Sequence, residues 1–373
     1  MKITHVISDS NVGGAGVLLC ALAKKLSEHF DIEIILPYDS ALSDRLDGCG
    51  AKIKELPMKS DSSFTLSDAR GFYRYFEKNK TDFLHTHASL GARLGGALAG
   101  IRPCISTRHC ARSAGDSAHM GAAKRMLYDY CTDLTVSTAD CVTQDLKNEG
   151  VRSEKIVTIK NGVEGIARLD ERAKRRVRES LGIPEGAIVI GCCARLEAVK
   201  GQDLLLRAAA SLVKKIPNLY VLLVGDGSAK SSYKLLAARL GILSHVKFTG
   251  YVPSPSPYQN IFTVNVNSSR GTETSCLAIS ECLSIGVPTV VSDFGGNPEM
   301  IDDGKSGLIF SSDNAFALEE RIWALLSDPL LYRKISEGGY LRWRTCFSVD
   351  RMADDYKRLY EDTFRRFAGT RAK

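Results

Sequence analysis

The chain opens on an apolar run at residues 3–8, too short for a helix, which reads as a buried strand. Val17, Leu18, Ala21, Leu22 and Leu26 follow at helical spacing. The alternation continues along the first half. Runs at 32–36, 51–56, 104–107, 134–137 and 156–160 read as strands, 83–87 as a strand end, and 90–100 as a helix of small residues. Residues 168–179 are polar and basic and predict a linker with a surface helix, so a domain boundary is expected near Gly165. The pattern then restarts, with strands at 188–193, 219–224, 246–248, 262–267 and 288–291. Leu204, Leu205, Ala208, Leu212 and Ile216 form a helical stripe that Pro217 stops. Short strands alternating with helices predict parallel sheets covered on both faces. The expected class is α/β, with two doubly wound Rossmann-like domains, 1–165 and 166–348, facing across a cleft. Ligands in such sheets sit beyond the carboxyl ends of the strands. A last helix, 349–367, is expected to cross back and complete the first domain.

Composition changes this picture little. The 373 residues suffice for two or three domains, and 44% hydrophobic with 25% charged residues fits a globular chain. A net charge of +7 does not by itself mark a nucleic-acid binder. The basic residues are clustered, however: Arg93, Arg102, Arg108, Arg112, Lys124 and Arg125 in one stretch, and Arg168, Arg172, Lys174, Arg175, Arg176 and Arg178 in another. Solvated helix faces and attraction to anionic lipid head groups both account for such runs. The cysteine count, 11, is odd, and several lie inside apolar patterns (Cys20, Cys104, Cys192, Cys193, Cys282), which points to reduced thiols and a cytoplasmic setting. The N-terminus reads as a strand, not a signal peptide, and no apolar run is long enough to span a bilayer. Membrane contact is therefore expected only as peripheral attachment at the inner face.

Candidate chemistry concentrates at 268–281, Ser-Ser-Arg-Gly-Thr-Glu-Thr-Ser-Cys-Leu-Ala-Ile-Ser-Glu. Glu273 lies in a small polar loop and Glu281 on the helix that the loop starts. Backbone N–H groups at a helix N-terminus attract anions, whereas carboxylates accept hydrogen bonds from hydroxyls. A site suited to both suggests a nucleotide sugar. Arg195 and Lys200, followed by Gly201, stand after the first strand of the second half, where two cations can clamp a diphosphate and stabilise it as a leaving group. Gly13-Gly14-Ala15-Gly16 sits at a strand-to-helix turn and admits either a close approach to a diphosphate or a tight turn. No acidic residue ends the 32–36 strand, which argues against a dinucleotide site. Gly225-Asp226-Gly227 reads as a structural turn, while Gly295 and Gly296 are expected to expose backbone. His85, His87 and His109 fall at strand ends; without a cysteine or carboxylate framework, hydrogen bonding beside a sugar is favoured over a metal. The chain has no Asp-x-Asp, so diphosphate binding without metal or cofactor is expected.

Together these residues resemble the retaining glycosyltransferases of family 4, which have the GT-B fold. The family's E-x7-E pair is matched by Glu273 and Glu281, its Arg and Lys by Arg195 and Lys200, its inter-domain turn by Asn161-Gly162-Val163, and its N-terminal glycine loop by Gly13 and Gly14. The resemblance implies that Arg195 and Lys200 hold the donor diphosphate and that Glu281 accepts hydrogen bonds from the ribose. Glu273 would contact hydroxyls of the donor sugar, beside the backbone of Thr274, Ser275, Cys276 and Leu277. His109 would lie near the transferred sugar, and Gly14 would face the diphosphate. The family's first Glu is usually followed by Gly or Phe and then Pro, whereas Glu273 is followed by Thr274 and Ser275, so the sugar pocket is expected to differ. The implied activity is metal-independent transfer of a hexose or N-acetylhexosamine from a UDP-sugar, or next a GDP-sugar, to a glycan or lipid-linked acceptor in cell-surface polysaccharide or glycolipid synthesis. A nucleotide-sugar epimerase and an inactive nucleotide-sugar binder are the alternatives.

Overall fold

The computed structural model describes residues 1–11, 13–111, 120–271 and 273–371. The chain divides into two compact units, Met1–Val163 with Val349–Lys373, and Glu164–Ser348. The division falls two residues before the expected 165/166 boundary. Arg112 of the first basic cluster lies outside the described residues.

The first unit is built on a seven-stranded parallel sheet: β1 (Lys2–Ile7), β2 (Asp31–Pro37), β3 (Lys52–Leu56), β4 (Phe83–His87), β5 (Cys104–Arg108), β6 (Leu134–Ser137) and β7 (Ile156–Thr158), in the order β3-β2-β1-β4-β5-β6-β7. Val6, Ile35, Leu84 and Cys104 join Phe72, Phe76, Ala92 and Ile101 in one buried cluster. The small residues of the helix Leu90–Leu98 have a packing reason. A Cβ on Gly95 would lie 2.6 Å from the Ala69 carbonyl oxygen, and one on Gly96 would lie 2.4 Å from Leu84 Cδ2. Only glycine lets that helix sit this close to its neighbour and to the sheet.

Strand register sets up another group. His5 pairs with His85, Ile7 with His87, and His87 with Thr107. Side chains alternate along a strand, so His5, His85, His87 and Thr107 share one face. The helix Val349–Arg371, a turn longer than the pattern predicts, packs there. Tyr360 Oη lies 2.6 Å from His85 Nδ1, and Tyr356 Oη 3.2 Å from Thr107 Oγ1.

The second unit has a six-stranded parallel sheet: β8 (Ile188–Cys193), β9 (Leu219–Val224), β10 (Val246–Phe248), β11 (Val264–Asn267), β12 (Thr289–Ser292) and β13 (Leu308–Phe310), ordered β10-β9-β8-β11-β12-β13. The chain reverses direction across this sheet between β8 and β11. Open parallel sheets hold ligands at such a switch point. β13 has three residues, too few to carry a periodic signal, and its place comes from pairing with β12.

Candidate functional site

The loop after β8 carries Arg195 and Lys200, and the loop after β11 carries Glu273; both leave the sheet at the switch point. Gly201 fastens them together. Its φ is +66°, and a Cβ there would lie 2.1 Å from the Ser268 carbonyl oxygen. Ser268 Oγ donates to the Lys200 carbonyl at 3.1 Å. With the loops so joined, Lys200 Nζ reaches Glu273 Oε2 at 2.8 Å, and the same oxygen accepts from Ser269 Oγ at 2.7 Å. The lysine and glutamate side chains are only 13% and 9% exposed. Both charges are therefore largely desolvated and held at fixed positions by each other. The Arg195 side chain is exposed.

Thr274, Ser275 and Cys276 lead half-buried into the helix Leu277–Ser284, whose N-terminus no side chain caps. Burial pushes the Cys276 thiol up to about 12, so it stays protonated beside the loop. Glu281 stands on that helix and accepts a hydrogen bond from Gln259 Nε2 at 2.7 Å. Gln259 is fully buried.

A buried amide and hydroxyl frame fixes the path of the Glu273 loop. Asn267 Oδ1 accepts from the Ser269 N–H at 3.0 Å and from Asn297 Nδ2 at 3.3 Å. Asn297 Nδ2 also donates to Ser292 Oγ at 2.9 Å, and Ser292 Oγ donates to the Ser269 carbonyl at 2.6 Å. Sequence reasoning passed over Gln259, Asn267, Ser269 and Asn297. The available signal was Asn265 and Asn267 in an otherwise apolar strand, since buried amides demand partners.

Gly295 is exposed, as expected, whereas Gly296 is buried, and both allow close approach to the Glu273 loop. A Cβ on Gly295 would lie 2.5 Å from the Glu273 carbonyl oxygen, and one on Gly296 1.7 Å from that of Thr274. The Gly296 N–H already donates to the Glu273 carbonyl at 3.1 Å. Gly296→Ala is thus expected to push the loop off its seat and cost about 1–3 kcal/mol of stability. Urea unfolding of the two proteins checks it, and equal midpoints would refute the close-packing role. Gly225 and Gly227 do act as structural turns, with Cβ positions 2.2 and 2.3 Å from the Ala194 and Leu196 carbonyl oxygens.

In the first unit, Gly13 and Gly14 are exposed at the start of the helix Gly14–Leu26. Gly16 is buried, with a notional Cβ 2.2 Å from Leu42 Cδ2, so its role is packing. His109 follows β5 and lines a cavity of about 500 Å³ with His87, Asp9, Arg93, Arg108 and Tyr128. His109 Nε2 lies 2.9 Å from His87 Nδ1, and His87 Nε2 lies 3.1 Å from His5 Nδ1. His85 takes a separate path, with Thr107 Oγ1 at 2.7 Å from Nε2 and Tyr360 Oη on Nδ1. Burial holds the His109 imidazole down at about 4 and His5 at about 3. His85 and His87 are lowered by burial first and by neighbouring imidazoles second. His5 was missed in the sequence; its place opposite His85 comes from the pairing of β1 with β4. One nitrogen each of His5, His85 and His87 lies within 4.8 Å of the others. As placed, both nitrogens of His85 and of His87 are already engaged by hydroxyls and imidazoles.

The first basic cluster also reads differently in three dimensions. Arg93 is buried, donating to Thr132 Oγ1 at 2.8 Å and stacked over Tyr128. Arg102 pairs with Asp133 at 2.6 Å, and Arg108 with Glu149 at 2.6 Å. These three arginines are thus engaged within the unit, Arg93 buried and Arg102 and Arg108 partly exposed. Lys124 and Arg125 are exposed. Among the described residues, no helix is long and apolar enough to cross a membrane.

Two family models match nearly end to end: Glycosyltransferase Family 4 over residues 12–164 and Glycosyl transferases group 1 over 173–342. The chain belongs to the family 4, group 1 glycosyltransferases. Among the curated members, EpsD of Bacillus subtilis is 30% identical over 60% of this chain and 59% of its own length. A GDP-mannose-dependent α-(1-6)-phosphatidylinositol monomannoside mannosyltransferase of Mycolicibacterium smegmatis is 32% identical over 43% of this chain and 44% of its own. The matched part thus spans about half the length of these two relatives. A D-inositol 3-phosphate glycosyltransferase of Corynebacterium aurimucosum is 29% identical over 78% of this chain and 72% of its own. The GT-B fold of the family is shared with solved structures. A glycosyltransferase of Rickettsia africae superposes with a TM-score of 0.83 at 21% identity, covering 97% of this chain and 98% of that one. The Anabaena protein HepE in complex with UDP also gives 0.83, at 20% identity over 97% and 100%.

Proposed function

We propose that this family member is a retaining, metal-independent glycosyltransferase that moves a hexose or N-acetylhexosamine from a nucleoside-diphosphate sugar to a glycan or lipid-linked acceptor. The observation that carries the reading is the second unit's switch point. There Lys200 and Glu273 are locked together at 2.8 Å, Arg195 is exposed in the same loop as Lys200, and Glu281 stands on the helix that follows the Glu273 loop. UDP is favoured as the donor base because the structurally similar HepE was crystallised with UDP and with UDP-glucose. GDP comes next, since the Mycolicibacterium relative is GDP-mannose-dependent.

In this reading Arg195 and Lys200 bind the donor diphosphate and neutralise the charge that grows on the departing phosphate. Glu273 orients hydroxyls of the transferred sugar, with the backbone of Thr274, Ser275, Cys276 and Leu277 beside it. Glu281 accepts hydrogen bonds from the ribose, and Gln259 fixes its rotamer. His109 hydrogen-bonds the transferred sugar, and Gly14 allows close approach of the diphosphate. The anomeric carbon–phosphate bond breaks through an oxocarbenium-like state. The acceptor oxygen attacks from the same face, and its proton passes to the leaving phosphate. Synthesis of cell-surface polysaccharide or glycolipid at the inner face of the membrane fits these roles, with exposed Lys124 and Arg125 available for peripheral contact with anionic lipid.

The test is a thermal shift with UDP, GDP, ADP and their sugars, without metal. A nucleotide at 100 times its Kd stabilises the native state by about 2.7 kcal/mol. Glu281→Ala removes charge-assisted hydrogen bonds of about 1.5–3 kcal/mol, so Kd should rise roughly tenfold to a hundredfold. Unchanged affinity in folded Glu281→Ala protein would sink the site. An altered sugar formed without acceptor would favour epimerisation.

A further inference from the structure

The imidazoles of His109, His87 and His5 form a hydrogen-bonded line whose two ends, His109 Nδ1 and His5 Nε2, are buried with no hydrogen-bond partner among the described residues. Each contact joins two nitrogens, so one must carry the proton and the other must offer its lone pair. Three neutral rings in such a line can be ordered in only two ways. In one, His109 donates to His87, His87 donates to His5, and a bare N–H is left at His5 Nε2. In the other, His5 donates to His87, His87 donates to His109, and the free N–H stands at His109 Nδ1.

The surroundings discriminate between them. His5 is fully buried, with rings of His85 and Tyr360 as neighbours, and both nitrogens of His85 are already engaged. The first order strands an N–H in that interior. The second leaves only a lone pair there and places the N–H at His109 Nδ1, itself buried but on a partly exposed ring that lines the cavity. Orphaned buried N–H groups are the rarer and costlier kind.

We propose that His5 and His87 are positioning residues that hold His109 as a neutral Nδ1–H donor, aimed at an oxygen of a sugar hydroxyl. His109 then orients its ligand and does not take a proton from it. The depressed protonation of all three rings keeps the line neutral at working pH. The ligand class rests on the glycosyl-transfer reading; the proton order does not.

The experiment has two arms. In protein labelled with ¹⁵N in the histidine rings, two-bond nitrogen–proton correlations report which nitrogen carries the proton, and His109→Gln assigns the His109 signals. Nδ1–H on His5, His87 and His109 is expected at neutral pH; Nε2–H on His109 overturns the proposal. The second arm compares His87→Gln, whose amide can still donate to His109 Nε2, with His87→Leu, which cannot. His87→Leu should lower kcat/KM for transfer about tenfold and mix the His109 tautomers, while His87→Gln keeps both near wild type. Equal losses in the two variants with an unmoved His109 tautomer would make His87 mere packing and overturn its role. A wild type that transfers no sugar refutes the functional reading, while the spectrum still decides the proton order.

Discussion

Replacing Lys200 by methionine is expected to lower kcat by about 10²–10³, the loss of about 2.7–4 kcal/mol of transition-state stabilisation seen when one preorganised group facing developing charge is removed. On the proposed reading the lysine is in position before a donor binds, because its ammonium is held at 2.8 Å from Glu273 with both side chains largely buried. A charge already ordered needs little reorganisation as the phosphate departs. The same pairing gives the substitution a second cost. Among the described residues Glu273 would be left buried with Ser269 Oγ as its side-chain donor, and breaking a buried pair costs about 3–5 kcal/mol. The two effects separate in the double variant Lys200→Met with Glu273→Gln, which removes both charges. Stability should return toward wild type in urea unfolding, while transfer, measured as nucleoside diphosphate released with acceptor present, stays low. Full transfer in the single variant would reduce Lys200 to a structural partner of Glu273.

Acid should open the first unit selectively. His5, His85 and His87 are buried and neutral, with protonation depressed by burial and by one another. Unfolding releases them to an ordinary value of about 6.5, so below that pH the unfolded chain binds three protons that the folded unit refuses. Stability is therefore complete above about pH 6.5 and falls as pH drops. Three imidazoles at about 1.36 kcal/mol each give a slope of about 4 kcal/mol per pH unit. His109, which burial holds at about 4, adds to this loss until the pH falls to that value. Tyr356 and Tyr360 face the cluster from the C-terminal helix, and burial keeps both phenols protonated, so neither supplies an anion to offset the imidazoles. Hydrogen exchange, corrected for the intrinsic rate, should show amides of β1 and β4 losing protection below pH 6.5 while those of β8 and β9 do not follow that slope. A flat response in β1 and β4 would mean that the imidazoles already carry protons in the folded state.

Much of this could be read from residues alone. Apolar runs of about six residues marked strands such as β1, β8 and β9, because a strand buried on both faces is the simplest solution for so short a run. The restart of the pattern after the basic stretch marked two units. Glu273, Arg195 and Lys200 in loops after strands, and Glu281 on the helix that follows, stood out by type and spacing. Chain order and strand parity are local properties, and a sequence states them directly.

Tertiary structure alone decided who meets whom. Whether Lys200 reaches Glu273, 73 positions away, depends on strand order and on Gly201 tolerating the Ser268 carbonyl. Gly295 and Gly296 read as glycines that expose backbone, and only the fold shows the Glu273 and Thr274 carbonyls packed against them. Arg93, Arg102 and Arg108 look like a cationic patch until burial, Asp133 and Glu149 account for them. His5, 80 residues from His85, joins the imidazole line because β1 lies beside β4, and Tyr360 closes over it from the far end of the chain. The reason is common to all four cases: periodicity records which side of an element faces inward, whereas the partner on that side is chosen by packing between segments that the sequence keeps far apart.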